Sequence, residues 1–252
     1  MAAVLKWVWS RGASRMSRYH PEEPRPCGAF VTGTDTGIGK TVVACGLVRA
    51  ALDRGLETVA LKPVSAGCEE TPEGLRNEDA ELLRRLFDPP LPYDKVNPVA
   101  LRAAAAPHLA AAEEGIHIPV ANLAAQARAF AQASDFVVVE GAGGWRVPLD
   151  DHHTMADLAL AMDVPVVLVV GIRLGCLNHA LLTAEAVRRD GLPLAGWVAN
   201  RVDPDDGRSD AQVGALRQRL QAPLLGDLPW MDRWDPSAVA ARLDIEPLLS
   251  AL

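Results

Sequence analysis

The stretch Ala29-Phe30-Val31-Thr32-Gly33-Thr34-Asp35-Thr36-Gly37-Ile38-Gly39-Lys40-Thr41 runs from a short apolar segment through a glycine-rich turn into a helical pattern. Each part of it suits an anion. Glycines let backbone N–H groups turn toward phosphate, and the helix start adds positive potential. Lys40 reaches outward as an exposed loop lysine, and the Thr41 hydroxyl is a ligand suited to Mg²⁺. The spacing is G-x5-G-K-T, because Thr34 holds the position of the first glycine in the commoner G-x4-G-K-T. The plainer reading is an ordinary strand-to-helix turn, and Gly39-Lys40-Thr41 at the helix start argues against it.

Working outward, short apolar runs alternate with helical patterns. Strands are expected at Ala29 to Thr32, Thr58 to Leu61, Phe136 to Val139, Pro165 to Val170, Leu194 to Ala199 and Pro223 to Leu225. Helices are expected at Lys40 to Arg54, Glu78 to Leu86, Ala121 to Ala133, Met155 to Met162, Ala180 to Arg189 and Asp210 to Leu220. Runs such as Val137-Val138-Val139 lack polar alternation and suit strands covered on both faces. The expected fold is a single α/β domain over residues 29–252, with a mainly parallel sheet flanked by helices. The Ala-rich stretch Ala103 to Ala112, broken by Pro107, reads as a loop and a helix start. Residues 1–28 end in the Pro-rich run Pro21 to Pro26 and read as an extension outside the core, with Met16 an alternative start and a transit peptide left open.

Composition narrows the function. The 252 residues are 49% hydrophobic and 23% charged, the balance of a soluble globular protein rather than a disordered or collagen-like chain. A net charge of -7 has the wrong sign for binding nucleic acid through counterion release, which leaves only local anion sites. Cys27, Cys45, Cys68 and Cys176 lie far apart, with neither metal-ligand spacing nor a disulfide framework, as in a reducing cytoplasm. No run approaches the ~18 apolar residues of a membrane span. Only four of the 25 basic residues are lysine: Lys6, Lys40, Lys62 and Lys95. Two of these stand at strand ends or loops where a compact ammonium and a forked guanidinium are not equivalent.

In a parallel sheet, ligands gather beyond the carboxyl ends of the strands. The second strand ends in Lys62-Pro63-Val64-Ser65-Ala66-Gly67, aiming Lys62 toward the phosphates unless it is a solvated strand-end lysine. The third ends in Glu140-Gly141-Ala142-Gly143-Gly144-Trp145, a carboxylate of the kind Mg²⁺ takes, beside a glycine loop. Asp79, in Asn77-Glu78-Asp79-Ala80, reads by spacing alone as a helix-start acid. The fourth strand leads through Arg173-Leu174-Gly175-Cys176-Leu177-Asn178 to a helix, either a second anion site or a helix capped by Asn178. The fifth ends at Asn200, whose amide suits an adenine edge or a turn. His108, His117, His152 and His153 read as surface or packing residues, and Trp145, Trp197, Trp230 and Trp234 as core or interface anchors.

Taken together, FVTGTDTGIGKT, KPVSAG, TPEGLRNEDA, VEGAGGW, VVGIRLGCLNHA, GWVAN and APLLGDLPW resemble the dethiobiotin synthetase family, in order from Ala29 to Trp230. The resemblance implies a cytoplasmic homodimeric P-loop enzyme of biotin biosynthesis. Such an enzyme uses ATP, Mg²⁺ and CO₂ to close the ureido ring on 7,8-diaminononanoate, with no nucleic-acid or membrane partner. It implies phosphate binding by Thr36, Lys40 and Thr41, with Gly37, Ile38 and Gly39 lining the cradle, and metal association by Thr41, Asp79 and Glu140. It makes Lys62 a second catalytic lysine and Asn200 the adenine reader, with Pro229 beside the nucleotide. The diamine falls to Ser65 and Gly143, and its carboxylate to Leu174, Gly175, Cys176, Leu177 and Asn178 across the dimer interface. Two positions depart from the family pattern: Gly37 stands where an acid is common, and Ser65-Ala66 reverses the usual order of hydroxyl and small residue.

The implied chemistry is attack of a substrate carbamate on the γ-phosphate, with charge neutralised by Mg²⁺, Lys40 and Lys62. No protein nucleophile is needed. The rival class, a partition or cell-division type switch, usually carries a second lysine early in the loop, where this chain has Asp35. A ligase with an added glutaminase domain does not fit the length.

Overall fold

The computed structural model describes residues 27–204 and 207–249, so all but the last two residues of the extension expected at residues 1–28 lie outside the described residues. Six parallel strands form the main sheet: β1 (Gly28–Gly33), β2 (Thr58–Leu61), β3 (Phe136–Glu140), β4 (Val166–Ile172), β5 (Leu194–Arg201) and β6 (Leu224–Leu228). Their spatial order is β6–β5–β4–β1–β3–β2. The helices are α1 (Lys40–Asp53), α2 (Glu78–Arg84), α3 (Tyr93–Val96), α4 (Pro107–Glu114), α5 (Val120–Ala131), α6 (Met155–Met162), α7 (Cys176–Arg189), α8 (Ser209–Arg219), α9 (Pro236–Ala240) and α10 (Glu246–Leu249).

Alternation along each strand explains why the sheet is covered twice. Ala29 and Val31 of β1, with Val138 of β3 and Val167 and Val169 of β4, pack under α1, α2 and α9. Their neighbours Phe30, Val137, Val139 and Val166 face the opposite way, under α4, α5 and α6. Farther along, Leu168 and Val170 join Trp197 beneath α7 and α8. Both faces being dry, continuous valine runs replace polar alternation. Because every strand is parallel, all six carboxyl ends share one edge. β1 lies between β3 and β4, and the chain crosses from one side of β1 to the other between those two strands, so the crevice at the switch point opens beyond Gly33.

Some expectations need correction. Gly28 already belongs to β1 rather than to the extension. Helix α7 begins at Cys176, four residues before the expected Ala180, because Gly175 adopts a left-handed cap (φ 94°) and the first turn carries no apolar periodicity. Asn178 therefore sits within that turn and is not its cap. Pro107 opens α4 at N1, where its missing N–H costs nothing. The short ladders Val64–Ser65 with Val99–Ala100 and Glu69–Thr71 with Gly74–Arg76 are too brief to carry a period. Trp145 and Trp197 are buried packing anchors, whereas Trp230 is nearly half exposed. Among the described residues, no helix is long and apolar enough to cross a membrane.

Candidate active site

The loop between β1 and α1 is held partly by its own residues and partly by the neighbouring strands β4 and β5. Thr34 N–H donates to Val169 O of β4 at 3.1 Å, and Thr36 N–H donates to Asp35 Oδ1 at 2.8 Å. Gly39 caps α1 at φ 89°, a left-handed conformation that disfavours side chains. A Cβ there would also stand 2.1 Å from Asn200 Nδ2. That amide donates to Ile38 O at 2.8 Å, so the end of β5 pins the phosphate loop. One of the Asn200 donors is thereby engaged. Pro229 follows β6 directly on the same edge of the sheet.

Lys40 corrects the expectation of an exposed loop lysine. It is 6% exposed, its stem lies against Gly33, and its ammonium donates to Asp35 O at 2.8 Å. Burial, then repulsion from Lys62, lowers its pKa to about 8 despite the nearby carboxylates. Asp35 is also held from the far side by Arg173, Nη2 to Oδ2 at 2.5 Å. The position at which rival P-loop proteins place a lysine is thus occupied here by a paired acid. Thr36 and Gly37 are exposed at the crest of the loop, and a Cβ on Gly37 would meet open space.

Beyond β2 and β3 lies a buried polar cluster. Lys62 Nζ donates to Glu140 Oε1 at 2.6 Å and to Asp79 Oδ2 at 2.9 Å. Thr41 Oγ1 donates to the same Glu140 oxygen at 2.9 Å. Sequence separations of 17, 78 and 99 residues collapse onto one point because α1, α2, β2 and β3 all present their ends to this edge. Burial alone would push the Lys62 ammonium down, but Glu140 and Asp79 outweigh it and hold it above its ordinary value. For Asp79, burial is overcome by Lys62 and the carboxyl is held low. For Glu140, burial wins over Lys62, with Asp79 adding to it, and the pKa is raised.

Does this cluster suit a divalent cation? Glu140 Oε2 is buried with no hydrogen-bond partner, which leaves one carboxylate oxygen unsatisfied. Asp79 opens toward solvent with 38% of its side chain exposed. Hydroxyl and carboxylate oxygens of Thr41, Asp79 and Glu140 are a hard donor set, with no imidazole or thiolate in the cluster. The residues present fit Mg²⁺ with most of its shell left to phosphate and water, and not zinc.

Other site residues expected from sequence are distributed as follows. Ser65 is buried, its hydroxyl donating to Asn97 Oδ1 at 2.7 Å and lying 3.2 Å from Cys68 Sγ, so its proton is committed within the protein. Gly143 (φ 64°) holds its loop close to the phosphate cradle; a Cβ there would lie 3.6 Å from Thr36 Oγ1 and clash with Val147 at 2.7 Å. Leu174, Gly175 and Asn178 are exposed, Leu177 is half-buried, and Cys176 is buried with its thiol donating to Gln212 Oε1. Sequence reasoning missed Asn97, which donates to Lys62 O at 2.6 Å and accepts from Tyr93 at 2.9 Å. It missed the Arg173 to Asp35 pair as well. An Asn-Pro turn and an arginine just past a strand were weak signals of these ties.

A protein-family profile described as an AAA domain matches residues 28–238. Curated relatives include ATP-dependent dethiobiotin synthetase BioD of Cellvibrio japonicus, 53% identical over 222 residues, covering 88% of this chain and 97% of the relative. The protein of the same name from Pseudomonas aeruginosa PAO1 is 54% identical over 220 residues, covering 87% and 96%. Among solved structures, a ParA family ATPase from Chlorobium tepidum aligns with TM-score 0.52 at 14% identity, covering 90% of each chain. The MinC:MinD complex of Aquifex aeolicus also aligns at 0.52 and 14% identity, covering 81% of this chain and 82% of that one. These two likenesses concern the fold alone.

Proposed function

The chain belongs to the dethiobiotin synthetase family of ATP-dependent ligases, and from that premise we propose how its residues divide the closing of the ureido ring. The substrates are ATP, CO₂ and 7,8-diaminononanoate, and the products are dethiobiotin, ADP and phosphate. The observation that carries the reading is the meeting of Thr41, Lys62, Asp79 and Glu140 beside the phosphate loop.

One substrate amine takes up CO₂ as a carbamate, whose oxygen attacks the γ-phosphorus as the bond to ADP breaks. The second amine then attacks the carbamoyl carbon, the ring closes and phosphate leaves. Lys40 leaves the Asp35 carbonyl for the phosphates, where its charge counters that on the transferring group. Lys62, fixed between two acids, brings positive charge to the same place without losing its proton. Thr36 and the N–H groups of Gly37, Ile38 and Gly39 surround the phosphates, and Asn200 and Pro229 border the base. Thr41, Asp79 and Glu140 would hold Mg²⁺, which supplies charge neutralisation on the phosphate oxygens. Gly143 borders the diamine, and Ser65 supports that wall through Asn97 rather than by donating to substrate.

The diamine's carboxylate is assigned to the Leu174–Asn178 turn of the partner subunit in a cytoplasmic homodimer. Supporting this are Leu174 at 97% exposure just before α7 and Leu182 at 57% in its middle, apolar side chains left uncovered on the same element. The test of the metal assignment is Mn²⁺ binding in the presence of ADP, followed by electron paramagnetic resonance. Glu140→Gln should weaken it about tenfold or more, and equal binding by variant and wild type would remove Glu140 from the donor set.

A further inference from the structure

Asp190 stands at a helix end that does not favour it. It caps the C-terminus of α7, where the macrodipole is negative and where the chain otherwise places Arg188 and Arg189. A residue that breaks a local preference is held by something else. Here its Oδ2 accepts from Trp145 Nε1 at 2.7 Å and its Oδ1 accepts from Arg146 Nη2 at 2.8 Å. Trp145 is 3% exposed and meets Phe30 of β1 edge-on, ring centroids 6.2 Å apart at 84°. A buried indole N–H needs an acceptor, and Asp190 is the one it has.

Trp145 ends the glycine loop that begins at Gly141. At its start, Gly141 N–H donates to Val31 O at 3.0 Å. Between these two ends, Gly143 lies against Thr36, and Gly144 would place a Cβ 3.3 Å from Gly33 O. Within the loop only Ala142 has a side chain, a methyl group partly buried against the core, and Gly144 O accepts from Val147 N–H at 3.3 Å, so its place rests largely on its ends. We infer that Asp190 is a positioning residue for the diamine site: through Trp145 it fixes the Gly141–Gly144 loop against the phosphate loop. Helix α7 thereby sets the diamine loop of its own subunit from its carboxyl end, while its amino end belongs to the turn proposed to take the carboxylate of the diamine bound by the partner subunit. The inference rests on the reading that this loop borders the diamine.

The test compares diamine KM, kcat and ADP affinity in five variants of the full chain. Trp145→Phe keeps the ring on Phe30 and removes only the N–H; Asp190→Ala removes the acceptor; Asp190→Asn retains one. Trp145→Phe and Asp190→Ala should each raise the diamine KM about fivefold or more with ADP affinity unchanged. The double variant should be no worse than Asp190→Ala, and Asp190→Asn should recover most of the loss. Wild-type diamine KM in Asp190→Ala, or an equal loss of ADP affinity, would overturn the inference. Should that variant fail to fold, Trp145→Phe decides by the same criterion. Gly143→Ala separates the two levels: if it leaves the diamine KM unchanged, the loop reading falls and this inference with it. If Gly143→Ala raises KM while Asp190→Ala does not, only the anchoring role falls.

Discussion

Lys62 and Glu140 form a buried ion pair, Nζ to Oε1 at 2.6 Å, with 5% and 1% of their side chains exposed. Two charges withdrawn so far from water hold only because each has further partners, Asp79 on the lysine and Thr41 on the glutamate. The lysine is therefore a fixed charge, not the mobile one that a strand-end position suggests. Lys62→Met should lower stability by about 3 kcal/mol, since it leaves Glu140 buried without its cation. Urea denaturation measures this, and an unchanged midpoint would contradict it. Lys62→Arg should lose turnover far more than ATP affinity, because a forked guanidinium does not fit a compact site between two carboxylates.

Lys40 should behave in the opposite way. Its pKa is lowered in the fold, so its charge opposes folding at neutral pH. Lys40→Met should abolish turnover yet melt at the wild-type temperature or above. Between about 8 and 10.5 the unfolded chain holds this proton more tightly than the folded one, so wild-type stability rises with pH relative to the variant. Melting curves of both proteins across that window check the sign, and a variant markedly less stable at neutral pH would refute it.

Much of this arrangement is legible in the sequence because it is local. The glycines around Lys40 and the dry valine runs of β3 and β4 announce the strand, loop and helix on which the site is built. Glu140 is legible as a strand-end acid, since such ends converge in any parallel sheet. What is not legible depends on distance in the chain: Lys40's burial, the pairing of Asp35 with Arg173 across 138 residues, and Asn97's hold on Lys62 and Ser65. No period or spacing encodes those contacts. The start of α7 is illegible for a related reason, since its first turn follows a left-handed glycine cap and carries no apolar stripe.

Gly39→Ala should abolish nucleotide binding while leaving the core intact. The methyl group would combine a left-handed backbone with a contact 2.1 Å from Asn200 Nδ2, so it displaces the amide that pins Ile38 O. Calorimetry with ADP reads the loss directly. Retained affinity would mean that the Asn200 tie does not shape the cradle.

The exposed Leu174, just before α7, and Leu182, within it, give the proposed dimer a test of its own. Leu182→Asp should shift the protein to monomer in sedimentation, keep ADP affinity and lose diamine binding. The methyl ester of the diamine should also bind the wild type markedly more weakly than the acid, since a carboxylate at a helix start gains roughly 0.3 to 2 kcal/mol. A monomer that still binds the acid tightly would put the carboxylate site within one subunit.

The most direct measurement is ADP release by the purified protein, made with both 7,8-diaminononanoate and ¹³C-bicarbonate, with each alone and with neither, alongside mass spectrometry of the product. The account predicts rapid ADP release only when both are present, dethiobiotin carrying one ¹³C, and loss of both signals in Glu140→Gln. ADP release at the same rate without the diamine, or release that yields no labelled ring, would contradict it.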